Sequence, residues 1–337
     1  MTSLTHDQYE QLLAAASTRD HLTGTGATFK LEQRLKQHYG MRHCVLTSNA
    51  TTATLATGIA TGLRGKEVLC SPLTWGGSIG ALSILGSTFT LGMVEHDSLN
   101  LDWHSIKYAK SKQTAAILAT DQFGTAHDQY SLRREADRYG LLYISDAASS
   151  LGAFDGDGKP ASSLADVVIV SFGSGKAITA GEGGAVLTND DGIHERLVTL
   201  CQHPERQRKE FGYHNAFAPL AARMHPLAAD ILLNTFDLQI DRLRVRQRET
   251  HAFIVQHQDR LGTLPFPTPD ASTYFDLSLH IRQADDVTDQ LAIPLSFIHE
   301  QSQPNGSQVS FRVAPRIAGM FDKLREERYV KLTDLMR

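Results

Sequence analysis

Lys176 stands alone among glycines in Val170-Ser-Phe-Gly-Ser-Gly-Lys-Ala-Ile-Thr-Ala-Gly-Glu-Gly-Gly184, between two apolar runs that read as strands. Glycine lets the backbone turn tightly and lets a ligand approach. A lysine desolvated in such a turn has a lowered pKa and becomes a nucleophile toward carbonyls, the requirement for a Schiff base with an aldehyde cofactor. Three further features fall at predicted strand ends. Ser48-Asn-Ala-Thr-Thr52 offers small residues and backbone N–H groups at a helix start, which suits a phosphate. Trp75 follows Pro72-Leu-Thr on a loop, and Asp146 closes an apolar strand 30 residues before Lys176. Phosphate cradle, stacking ring, carboxylate and lysine are together what pyridoxal 5′-phosphate requires. A P-loop reading of Gly173-Ser-Gly-Lys176 fails. That motif needs glycine where Val170 stands and Ser or Thr where Ala177 stands.

The elements that must position these groups alternate. Strands are expected at 43–47, 67–70, 89–94, 115–120, 141–145, 166–171 and 184–188. Helices are expected at 6–16, 27–40, 50–63, 77–85 and 131–139. This order argues for a mostly parallel sheet covered on both faces, with ligands at the carboxyl ends of the strands. His225-Pro226 opens a long helix toward Gln256. Its Arg242, Arg244, Arg246 and Arg248 alternate, so they do not share one face and read as solvated charge. Strands at 273–281 and 308–313 and a closing helix from Asp322 to Arg337 suggest a small α+β domain. The expected division is a large domain over 1–250 and a small one over 251–337.

The 337 residues carry 33 Lys and Arg against 37 Asp and Glu, a net charge of −4 without a long basic run, so nucleic acid is not an expected partner. Cys44, Cys70 and Cys201 are widely spaced, which argues against a disulfide framework or a zinc site. No apolar run is long enough to span a bilayer and no signal peptide is evident at the N-terminus, so a cytoplasmic setting without membrane contact is expected.

As an ordered set these stretches resemble the DegT/DnrJ/EryC1/StrS sugar aminotransferases of fold type I. The residues that carry the resemblance are Ser48 to Ala53, Pro72 to Trp75, Ser145 to Ala148, Ser150 to Ala153, Ser171 to Lys176, Gly181 to Gly184 and Arg223 to Ala229. The resemblance implies a pyridoxal-phosphate enzyme that moves an amino group from glutamate or glutamine to a keto-sugar, a nucleotide-linked keto-sugar or a keto-cyclitol. Lys176 is then the Schiff-base lysine and proton carrier, and Asp146 the partner of the pyridine nitrogen. Trp75 stacks on the ring. Ala50, Thr51 and Ser171 bind the phosphate, and Ser149 takes a place usually held by glutamine. A homodimer with shared sites follows, with Asn215 or Arg223 as further phosphate donors from across the interface, since Ala221 replaces a more polar residue of the family. Elimination, dehydration or C–C bond formation with the same cofactor is the alternative reaction.

Overall fold

The computed structural model describes residues 5–212, 217–257, 268–275, 278–280, 297–300, 309–325 and 329–331. The strands are β1 (His43–Thr47), β2 (Glu67–Cys70), β3 (Thr88–Leu91), β4 (Met93–Val94), β5 (Leu101–Asp102), β6 (Thr114–Thr120), β7 (Leu142–Asp146), β8 (Val167–Ser171), β9 (Gly184–Thr188), β10 (Ser278–His280), β11 (Phe311–Arg312) and β12 (Tyr329–Lys331). Eight of them form one sheet in the order β1-β9-β8-β7-β6-β2-β3-β11. From β8 to β11 every pairing is parallel. Their runs, such as Val-Val-Ile-Val in β8, are apolar on both faces because helices cover both sides. Val168, Ile169, Ile117, Leu118, Leu69 and Leu187 are all buried in the shared core.

The expected mostly parallel sheet is correct, with one reversal. β9 runs antiparallel to both β8 and β1. The glycine-rich segment joining β8 to β9 carries no crossover helix, and a parallel return needs one. Lys176 therefore sits in a turn at the carboxyl edge of β8.

Local chemistry sets the flanking helices. Asn49 caps the Ala50–Ala60 helix, its side chain accepting from Thr52 N at 2.8 Å. His225 caps the Pro226–Gln256 helix, with Pro226 in its first turn. The single strand expected over 89–94 is broken at Gly92, where a Cβ would lie 2.6 Å from Leu101 Cδ1. The chain bends there out of the large sheet into the β4–β5 ribbon. The closing helix expected over 322–337 is also overturned. A helix runs from Pro315 to Arg325, and Tyr329–Lys331 is a strand paired antiparallel with Ser278–His280. Aromatic and β-branched residues at 329–330 favour that pleated partner over another helical turn. Near the other end of the sheet, Phe311–Arg312 pairs in parallel with β3. Among the described residues no helix is long and apolar enough to cross a membrane.

Candidate active site

The carboxyl edge of the sheet gathers Asp146, Ser149, Ser171 and Lys176. Asp146 ends β7 in register with Thr120 of β6 and Ile169 of β8. Its side chain is buried and held on both oxygens: Ser78 Oγ donates to Oδ2 at 2.6 Å and Ala148 N to Oδ1 at 3.1 Å. Burial pushes the carboxyl above the ordinary range, while these two hydrogen bonds and the Lys176 charge pull it back.

Lys176 lies half-buried in the turn after β8, and its Nζ donates to Ser149 Oγ at 2.9 Å. The amine also sits 4.0 Å from the centre of the Phe275 ring. Burial lowers its pKa, and Asp146 opposes that. Thr273 Oγ1 donates to the Ser149 carbonyl at 2.6 Å and so ties residues 273–275 to the lysine's surroundings.

The anion cradle is built from backbone. The first N–H groups of the Ala50–Ala60 helix, those of Ala50 and Thr51, have no intrahelical acceptor, while the Asn49 side chain takes the Thr52 N–H. Gly184 of β9 packs directly beneath. A Cβ there would meet Asn49 C at 2.5 Å and Ala50 N at 2.7 Å, so only glycine fits. Ser171, at the end of β8, accepts from Gly173 N at 3.3 Å. A positive helix end beside small hydroxyl residues, a buried carboxylate and a lysine of lowered pKa match the three polar parts of pyridoxal phosphate: phosphate, ring nitrogen and aldehyde.

Trp75 precedes the Gly76–Ser83 helix and folds over Gly77, where a Cβ would lie 2.6 Å from the indole Nε1 and 3.1 Å from Thr51 Oγ1. The ring thus flanks the cradle and is 75% exposed, free to cover a ligand. Ser78, one turn further on, reaches Asp146, so this short helix serves both groups.

Arg223 lies in the chain leading to the long helix. Its neighbours Ala222 and Met224 pack inward: Ala222 O accepts from Ser48 N at 2.8 Å, and Met224 lies against Gly183. Arg223 itself is half-buried and close to His21, whose pKa is lowered by burial and by that charge. Asn215 lies outside the described residues.

Sequence reasoning missed Ser78, Thr273, Phe275 and Gly184. Gly184 was legible as part of a glycine run, but its contact with Asn49 and Ala50 was not. The other three are ordinary residues whose roles arise across 68 to 124 positions of chain, with no local signal. Asp121, which follows β6, is buried in a separate network. It accepts from Ser150 and Ser162 at 2.5 Å each and pairs with His127 Nδ1 at 2.7 Å. Burial would raise this carboxyl, but the His127 charge and these hydrogen bonds outweigh it and hold it below its ordinary value. The network anchors Ser150, and with it the turn that presents Ser149.

The chain is similar to several known proteins. The chain is 28% identical over 221 residues to a UDP-2-acetamido-2-deoxy-3-oxo-D-glucuronate aminotransferase of Pseudomonas aeruginosa, which covers 65% of the chain and 60% of that protein. It is 31% identical over 172 residues to a GDP-perosamine synthase of Vibrio cholerae, 51% of the chain and 47% of the relative. The chain thus spans about half to three-fifths of the length of these curated relatives. A crystal structure of a DegT DnrJ EryC1 StrS aminotransferase from Brucella abortus superposes with a TM-score of 0.79 at 22% identity, covering 96% of this chain and 90% of that one. DesI, solved in the presence of its TDP-sugar product, matches with a TM-score of 0.73 at 25% identity, over 98% of this chain and 85% of that one. The model of the DegT/DnrJ/EryC1/StrS aminotransferase family matches residues 4–315, and the chain belongs to that family.

Proposed function

We propose that this chain is a pyridoxal-phosphate-dependent aminotransferase that delivers an amino group to a nucleotide-linked keto-sugar. The observation that carries the reading is a half-buried lysine amine held by Ser149 and a buried carboxylate held by Ser78, both at the carboxyl edge of one sheet. The substrate class is taken from the relatives, two of which are named for amination of UDP- and GDP-linked sugars.

When bound, pyridoxal phosphate supplies an aldehyde for the lysine and a ring that withdraws electrons from the substrate's reacting carbon. The chain's own groups do the rest. Lys176, with its pKa lowered, holds a larger neutral fraction and serves as nucleophile and then as proton carrier at the substrate carbon. Ser149 orients that amine. Asp146 keeps a proton on the pyridine nitrogen, and Ser78 fixes its carboxylate. Ala50, Thr51 and Ser171 bind the phosphate, and Trp75 covers the ring.

These phosphate donors are all uncharged, whereas a phosphate carries nearly two negative charges. A homodimer is the favoured assembly, with Arg223 or Asn215 of one copy completing the cradle of the other. Three buried, unpaired cysteines suit a reducing cytoplasm.

The test is spectroscopic. The protein with pyridoxal phosphate should be yellow, and glutamate or glutamine alone should discharge the band, which only a transaminase requires. Lys176→Ala should abolish the band and the mass that borohydride otherwise fixes to the chain. A normal band in Lys176→Ala, or a wild-type band indifferent to both donors, refutes the assignment.

A further inference from the structure

The four alternating arginines of the Pro226–Gln256 helix separate into two pairs. Helical residues two apart point about 200° apart, whereas residues four apart are neighbours on one face. Arg244 and Arg248 line a cavity of about 1260 Å³ on the side of the Gly26–Tyr39 helix, where Arg244 has Asp241 at 3.5 Å. Arg242 and Arg246 face a different cavity, of about 500 Å³, whose opposite wall is Ala177 and Thr179. Those two residues belong to the turn that carries Lys176. Gln239, one turn earlier on the helix, pins that turn by bonding both Thr179 N at 2.8 Å and Thr179 O at 3.0 Å.

Among the described residues neither Arg242 nor Arg246 has a carboxylate within ion-pair distance. Arg246 donates to the Thr273 carbonyl at 3.2 Å. Thr273 in turn bonds the Ser149 carbonyl, and Ser149 Oγ accepts from Lys176. Three hydrogen bonds and the intervening residues therefore connect this guanidinium to the amine. Arg246 is exposed beside this cavity, and its guanidinium has no acid beside it among the described residues. Two guanidinium groups on one face of a cavity, without a carboxylate partner among the described residues, are available to an anionic ligand.

We propose that Arg242 and Arg246 form an anion subsite beside the Lys176 turn that holds an oxyanion group of a substrate, a carboxylate or a phosphate. This rests on the aminotransferase reading above. Guanidinium forks match both groups in bidentate fashion, and two forks one turn apart on a rigid helix fix the ligand's direction as well as its charge. The shared chemistry has two sources in an aminotransferase: the carboxylate of the amino donor and the diphosphate of a nucleotide-linked acceptor.

The experiment uses the cofactor-loaded enzyme and the variants Arg242→Gln, Arg246→Gln and the double. One arm records the glutamate concentration that half-maximally discharges the yellow band. The other measures UDP and GDP binding by calorimetry and needs no turnover. Removing either fork should weaken one of the two by about tenfold or more. A change in the glutamate arm assigns the subsite to the donor, and a change in the nucleotide arm assigns it to the acceptor. Arg242→Gln breaks no hydrogen bond within the described residues, so its effect is not confused with release of Thr273. Both arms within twofold of wild type for both variants, or no nucleotide binding together with an unchanged glutamate arm, overturns the proposal. A wild-type band that no donor discharges overturns the aminotransferase reading instead.

Discussion

Replacing Ser78 by Ala tests whether Asp146 is a charge held in place by a purpose-built donor. The carboxylate is 4% exposed, and Ser78 and Ala148 N are its two hydrogen-bond donors among the described residues. A hydrogen bond to a charged acceptor contributes about 1.5–3 kcal/mol, and one between neutral groups about 0.5–1.5 kcal/mol. Ser78→Ala should therefore cost about 2 kcal/mol in the parent. In an Asp146→Asn background, where the hydroxyl meets a neutral amide, it should cost about 1 kcal/mol. The coupling of about 1 kcal/mol exceeds the few tenths by which independent sites depart from additivity. Urea unfolding of the cofactor-free protein at pH 8 completes the cycle. The sign with pH follows from the raised carboxyl. A raised folded pKa means that Asp146 favours the fold below its unfolded pKa, and that this contribution is lost as pH rises through the folded value. Loss of the donor that stabilises the ionised form raises the folded pKa further, so the Ser78→Ala defect should grow with pH. Equal costs in the two backgrounds, or a defect independent of pH, would refute the argument.

Gly184→Ala should push the cradle away from β9, because the new Cβ has backbone atoms at 2.5 and 2.7 Å. The expected loss is about 1–3 kcal/mol of stability, with pyridoxal-phosphate affinity reduced about tenfold, read by urea unfolding and spectral titration; unchanged affinity would show that the cradle is not the phosphate site. His38 lies edge-on to Tyr39 and Phe154 with its Nε2 unpartnered among the described residues, and burial lowers its pKa to about 4. A depressed folded pKa means that stability is complete above about pH 6.5 and is lost toward pH 4, on the order of 1–2 kcal/mol by pH 5. His38→Leu should flatten that part of the pH–stability curve, and an identical curve would show that another group titrates.

Features that depend on neighbouring residues were legible in the sequence. The apolar runs of β6 to β9, the Asn49 cap and the His225-Pro226 helix start follow from side-chain period and backbone capping. Those are properties of a few consecutive residues. Asp146 stood out because it closes such a run, and Lys176 because it is the one lysine in the glycine-rich turn that follows another. What joins distant parts of the chain was decided only by tertiary structure. Ser78 meets Asp146 because the Gly76–Ser83 helix packs over the end of β7, 68 residues on in the chain. The arginines' helical phase was implicit in their spacing, but which pair faces Ala177 and Thr179 depends on how the long helix docks on that turn. Tyr329–Lys331 is a strand rather than a helix because it pairs with Ser278–His280. A partner strand dozens of residues away can outweigh the small free-energy differences that separate local preferences.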